Sequence, residues 1–235
     1  MTKTIGEIAR ANPTSVRVFE KYSIDYCCGG KVSFADACRA RGIVPAELEA
    51  ELDQAAANRP GSDRDWTAAP LGLLIDHIVG THHVYLKSEL PRLQGWLDNV
   101  IAAHGTSLVP LGQVFAGLRA ELEAHLGKEE MILFPLIKAM ESGRRAASHC
   151  GSVNNPIGVM EHEHDNAGRA LDAMRKLTGD YTLPPDACNT YRALFHGLVE
   201  LEADLHRHIH LENNILFPRA SELERIGVAP SVHEF

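Results

Sequence analysis

The chain has 235 residues, with 23 Lys plus Arg against 31 Asp plus Glu and a formal net charge of −8. That balance argues against nucleic acid or an anionic membrane surface as partner. A hydrophobic content of 45% with 23% charged residues is that of an ordinary globular protein, neither disordered nor fibrous. No apolar run approaches the ~20 residues of a membrane helix, and the start, MTKTIGEIARANP, contains Glu7 and lacks the apolar core of a secretory signal. A cytoplasmic location follows as the expectation.

Up to residue 57 the chain reads as short helical pieces: Thr4 to Ala11, Ser15 to Tyr22 after an Asn-Pro break, a CCGG turn at 27–30, Ser33 to Arg41, and Ala46 to Ala57 after Pro45. Residues 1–57 are therefore expected to form a small helical domain. The polar stretch 58–66, with its Pro-Gly pair and several charges, reads as a linker. Residues 67–222 form the body and 223–235 a tail.

The body carries four long helical patterns and no strand pattern. The first, Pro70 to Ile101, places Leu71, Leu74, Ile75, Ile78, Val79, Leu86, Leu90, Leu93 and Leu97 on one stripe, with Pro91 set to kink it. The second, Leu111 to Glu141, carries Leu111, Val114, Phe115, Leu118, Leu122, Ile132, Leu133 and Leu136 at spacings of three and four. The third follows Asn-Asn-Pro (154–156) and reaches Leu177, and the fourth spans Asp186 to Leu223. The fold class is all-α, an antiparallel four-helix bundle.

Thirteen histidines are unusual, and many sit beside acidic residues. The second and fourth helices repeat one pattern, HxxxExxILFP, from His125 to Pro135 and from His208 to Pro218. His125 lies three after Leu122 and Glu129 four before Leu133; His208 lies three after Leu205 and Glu212 four before Leu216. All four polar groups thus fall in the apolar stripe. On the third helix His164 shares the face of Met160 and Leu171, whereas His162 is rotated by about 160° toward solvent. On the first helix the spacing leaves His82 and His83 as alternatives. His77, His104, His149, His162, His196, His206, His210 and His233 read as solvent-facing, loop or outer-sphere groups.

Burying imidazoles and carboxylates together without a counter-charge costs several kcal/mol per group. A cation at their centre resolves the conflict, and four imidazoles with two carboxylates suit two metal ions. Each would hold two histidines and two carboxylate oxygens if both glutamates bridge. Nitrogen and oxygen donors without thiolate favour iron or manganese over structural zinc, iron first.

The five cysteines show neither a disulfide framework nor a paired metal-site spacing. Cys27 and Cys28 are adjacent on the CCGG turn. A bridge between neighbours would be strained, since their Cα atoms are only ~3.8 Å apart. They read as reduced thiols, or as thiols serving transient metal binding, nitric oxide binding or redox exchange. Cys38, Cys150 and Cys188 read as ordinary isolated residues.

Three blocks, DYCCGGK (25–31), HLGKEEMILFP (125–135), and VMEHEHDNAG (159–168) with HIHLENNILFPRA (208–220), resemble the repair of iron centres family. These are bacterial di-iron stress proteins with an ScdA-type N-terminal domain followed by a hemerythrin-like bundle. The resemblance implies the metal ligands His83, His125, Glu129, His164, His208 and Glu212, with Glu129 and Glu212 bridging, and it selects His83 over His82. It implies two non-haem iron ions, oxo- and carboxylate-bridged, and repair of iron-sulfur clusters damaged by nitric oxide or peroxide, with iron donation as one route. A nitric oxide reductase activity is also attributed to the family. Cys27 and Cys28 match its paired cysteines and would pass iron or nitrosyl groups. The implied partners are damaged iron-sulfur proteins and the gases nitric oxide and oxygen, with a homodimer as one assembly open to the chain. A hemerythrin-like oxygen or nitric oxide binder or sensor is the alternative. The segment 143–156, with His149 and Cys150, departs from the family pattern.

Overall fold

The computed structural model describes residues 3–57, 65–144 and 151–227. These form eight helices and no strand, only an isolated bridge pairing Thr4 with Ser33. Among the described residues no helix is long and apolar enough to cross a membrane.

Four short helices come first: α1 (Ile5–Ala11), α2 (Ser15–Lys21), α3 (Phe34–Arg41) and α4 (Pro45–Ala57). Two of the starts are capped by side chains. Thr4 and Glu7 make a reciprocal capping box at α1, and the Ser33 hydroxyl accepts from Asp36 N at α3. Gly42, at φ 66, ends α3 in the left-handed conformation that glycine adopts without strain. Ile5, Phe19, Phe34, Leu48 and Leu52 are buried together, and Ile209 of the bundle completes this core.

Four long helices follow. α5 runs through Leu71–Ile78, a π-helical turn Val79–His83 and Val84–His104; α6 through Val109–Lys128, a π-helical turn Glu129–Leu133 and Phe134–Glu141. α7 is Asn154–Thr178, and α8 runs through Asn189–His210, a π-helical turn Leu211–Leu216 and Phe217–Gly227. Pro91 lies inside α5 without ending it. Residues 58–64 of the expected linker and 228–235 of the expected tail lie outside the described residues, as do His149, Cys150 and His233.

Two carboxylates fix the antiparallel order. Glu141, at the end of α6, accepts from Leu71 N at 2.6 Å and Gly72 N at 2.7 Å, so it caps the start of α5. Glu224, near the end of α8, accepts from Val153 N at 2.8 Å and Ser152 Oγ at 2.6 Å, capping the start of α7. Each uses a negative charge to satisfy orphan N–H groups where the helix dipole is positive. Leu86, Leu93, Phe115, Leu118, Leu171, Leu198 and Leu201 fill one end of the bundle, and Leu74, Ile78, Ile137, Ile157, Leu216 and Phe217 the other.

The π-helical turns alter the phase read from the sequence. Ile132, assigned to the apolar stripe, is 50% exposed, while Leu133 is buried. Inserting one residue into a turn swings Ile132 outward. The prolines supply a reason for two of these turns. Pro135 and Pro218 lack an N–H, and their rings crowd the carbonyls of Met131 and Asn214, which lie inside the widened turns.

Candidate metal centre

His83, Glu129 and Glu212 all lie in π-helical turns, while His125, His164 and His208 sit on regular helix. A widened turn redirects a side chain by part of a helical turn, and such turns often mark functional sites. All six side chains converge between the two apolar layers and are at most 2% exposed.

They form two overlapping sets. His83, Glu129, His208 and Glu212 offer four donor atoms within 4.8 Å of one another, and His125, Glu129, His164 and Glu212 do the same. The carboxylates belong to both. Glu129 turns Oε2 to His83 Nε2 at 3.4 Å and Oε1 to His125 Nε2 at 3.3 Å. Glu212 turns Oε1 to His208 Nε2 at 3.0 Å and Oε2 to His164 Nε2 at 3.2 Å. Each glutamate therefore gives one oxygen to each pocket, the disposition of a bridging carboxylate. His82, the alternative to His83, bonds instead through Nδ1 to Asp204 Oδ1 at 2.9 Å.

Outer partners orient the imidazoles. His83 Nδ1 meets Glu130 at 2.7 Å, and Glu130 is neutralised by Lys87 at 2.7 Å. His125 Nδ1 meets Glu163 at 2.9 Å, and Lys128 pairs with Glu163. His164 Nδ1 meets Asn213 Oδ1 at 2.8 Å. With Nδ1 donating, each Nε2 presents a lone pair inward. His125 and His164 then bring two such nitrogens to 3.1 Å. His83 Nε2, both oxygens of Glu129 and Glu212 Oε2 are buried with no hydrogen-bond partner among the described residues. A buried cluster of acceptors fits a cation, and mixed imidazole and carboxylate donors fit iron.

Without metal, protons carry that role. Burial opposes a charge on His125, yet Glu129 and then Glu212 and Glu163 lift it to about 9. Burial is likewise outweighed at His83, which Glu129 raises above the usual imidazole range. His208 is held down by burial against the pull of Glu212. Burial and Glu212 push Glu129 up, but His125 and His83 bring it below the usual carboxylate range. Glu212 lies well below that range, because His208 and His164 overcome its burial.

The cysteine turn docks beside this centre. Asp25 Oδ1 accepts from Cys27 N at 2.9 Å and Cys28 N at 3.0 Å, and Oδ2 accepts from Gly29 N at 2.8 Å. That carboxylate sets the turn. Cys28 Sγ donates to the backbone oxygen of His164 at 3.2 Å, whereas Cys27 is buried and burial raises its thiol well above the ordinary range. His210, read as off the core face, is buried: the Tyr26 ring lies 5.5 Å away edge-on, and burial lowers its imidazole to about 4. The helix face is polar by the bundle's own pattern, and the N-terminal helices cover it. Cys188, read as isolated, contacts His104 Nε2 at 3.2 Å.

The outer partners Glu130, Glu163 and Asn213 were not singled out by periodicity. Their signal is adjacency: Glu130 and Asn213 directly follow the two glutamates of the repeat, and Glu163 directly precedes His164.

Residues 74–220 match the family model of the hemerythrin HHE cation binding domain, and residues 1–56 match ScdA_N, a domain of unknown function. The chain is 43% identical over 221 residues to the iron-sulfur cluster repair protein YtfE of Musicola paradisiaca, covering 93% of this chain and 96% of that one. The chain belongs to the YtfE family. Its relatives of the same name include those of Edwardsiella ictaluri, 42% identical over 93% of this chain and 96% of that one, and Citrobacter koseri, 41% identical over 92% and 95%. The hemerythrin match spans all six converging residues, and the ScdA_N match spans the cysteine turn.

Proposed function

We propose that this chain is a di-iron protein that restores iron-sulfur clusters damaged by nitrosative or oxidative stress. His83 and His208 hold one iron, His125 and His164 the other, and Glu129 and Glu212 bridge. Residues 1–57 form an ScdA-type domain and 67–222 the metal-carrying bundle. The carrying observation is the split of each carboxylate between two pockets, with buried acceptor atoms left unpartnered there. The relatives are iron-sulfur cluster repair proteins by name, which favours repair over reversible gas carriage.

Bound iron would supply open coordination positions and redox chemistry for a small molecule such as nitric oxide or oxygen. The protein's own part is to fix the Nε2 tautomers through Glu130, Glu163 and Asn213, exclude bulk water, and keep the bundle rigid around the bridging glutamates. Cys27 and Cys28 would pass iron or nitrosyl groups to or from a damaged iron-sulfur protein, a role supported by the Cys28 thiol's contact with the backbone oxygen of His164. Cytoplasmic residence suits that client and its reduced thiols.

The test is elemental analysis of anaerobically purified protein, with near-ultraviolet absorption after exposure to air. Two irons per chain with oxo-bridge charge-transfer bands is the expected result. No iron after reconstitution overturns the reading.

A further inference from the structure

The bundle is built twice. His83 on α5 corresponds to His164 on α7, and His125, Glu129 and Glu141 on α6 correspond to His208, Glu212 and Glu224 on α8, with the capping contacts of the last pair matching as well. The same correspondence governs the outer partners. The residue after the first glutamate, Glu130, orients His83, and the residue after the second, Asn213, orients His164. The residue before His164, Glu163, orients His125. By symmetry, the residue before His83 should orient His208.

That residue is His82, and it does not. Its ring stacks on the His208 ring, 5.4 Å between centroids and 3° from parallel, and its Nδ1 is spent on Asp204. His208 Nδ1 is buried and, among the described residues, has no hydrogen-bond partner. Three imidazoles are anchored on the side away from the pockets and the fourth is not.

We infer that the two metal pockets are unequal, and that the ion between His83 and His208 is held more weakly and released first because position 82 carries histidine. The inference rests on the di-iron reading above. An outer acceptor fixes the ligating tautomer and raises the basicity of the imidazole, and losing one lowers metal affinity by roughly 10–100-fold. In a protein that gives up iron, such a difference lets one ion depart while Glu129 and Glu212 stay organised around the other.

The experiment loads full-length, metal-free protein with iron(II) under anaerobic conditions and resolves its two binding constants by competition with a chromophoric chelator. Wild type is expected to bind two equivalents whose constants differ by about 10–100-fold. His164→Ala should retain one ion with the weaker constant and His208→Ala one ion with the stronger. His82→Gln, whose amide oxygen can accept from His208 as Asn213 does from His164, should tighten the weaker constant and leave the stronger unchanged. Two equal constants in wild type overturn the inference and leave the di-iron reading intact, as does a folded His82→Gln protein, checked by circular dichroism, with both constants unmoved. Failure of wild type to bind iron removes the di-iron reading and this inference together.

Discussion

The metal-free protein should lose stability as pH rises from 6.5 to 8.5, opposite to the usual behaviour of a chain with depressed carboxylates. His125 decides the sign. Its folded value of about 9 stands above the ordinary 6.5, so the folded state binds the proton more tightly than the unfolded chain. The associated stability is full below 6.5 and is lost as pH climbs through about 9. At about 1.36 kcal/mol per pH unit of difference, the whole effect is about 3 kcal/mol, of which about 2 kcal/mol disappears between pH 6.5 and 8.5. His83 adds to the loss, because it too is raised. His208 and His210 are lowered and act the other way, each regaining at most about 0.4 kcal/mol over this window as the unfolded chain stops binding their protons.

The assay is urea unfolding of chelator-treated protein at pH 6.5 and 8.5, followed by circular dichroism. The midpoint should fall with pH in wild type, and His125→Gln should remove most of that slope. Stability that is flat or rising between the two values would refute the proposed charge state of the centre. Metal loading should abolish the trend, since a ligating nitrogen must lose its proton, and loading an unbuffered sample near pH 7 should release protons that a pH electrode records.

Glu212→Ala removes an oxygen from both pockets and should reduce iron to below one equivalent per chain by elemental analysis, with helical circular dichroism retained. Leu48→Ala, at a fully buried position of the N-terminal core, should cost about 2–5 kcal/mol in denaturant unfolding of that unit. Iodoacetamide should label Cys188 first among the cysteines of the described residues, because backbone N–H groups at the start of α8, Tyr191 first, and then His104 hold its thiol below the ordinary range on an exposed site. Cys27 should be labelled last, as shown by peptide mass spectrometry of timed samples.

Much of this architecture is legible in residue spacing. Leucines at three and four placed the four long helices, and the Asn-Pro break, the CCGG turn and Pro45 marked off the short ones. The inward phase of His125, Glu129, His164, His208 and Glu212 was readable because each shares a stripe with residues that could only be core. Three things were not. The spacing allowed both His82 and His83, and the structure brings only His83 into the cluster, at the end of a π-helical turn. Ile132 was misplaced for the same reason, since a uniform 3.6-residue period cannot represent an inserted residue. His210 was misread because its partner, Tyr26, is remote in sequence and no periodicity within α8 encodes it.

The covering of α8 by Tyr26 also links the N-terminal helices to one pocket. Asn214 Nδ2 donates to the backbone oxygen of Tyr26 at 3.0 Å, one residue beyond the Asn213 that orients His164. Gly6 fits against Asn214 because a Cβ there would come within 2.6 Å of its Oδ1 and 3.1 Å of the Gly30 oxygen. On α7, Gly168 stands where α5 has Lys87, and a Cβ at that position would meet Cys28 Sγ at 3.3 Å. The thiol occupies the space the missing side chain leaves. Both contacts lie beside residues of the His125 and His164 pocket, while the Tyr26 ring itself meets His206 and His210 on either side of His208. Tyr26→Ala, which removes a fully buried ring, should therefore loosen Asn213 and weaken the tighter iron site more than the weaker one. Equal weakening of both constants in the chelator competition would show that the N-terminal helices stabilise the bundle as a whole and do not act on one pocket.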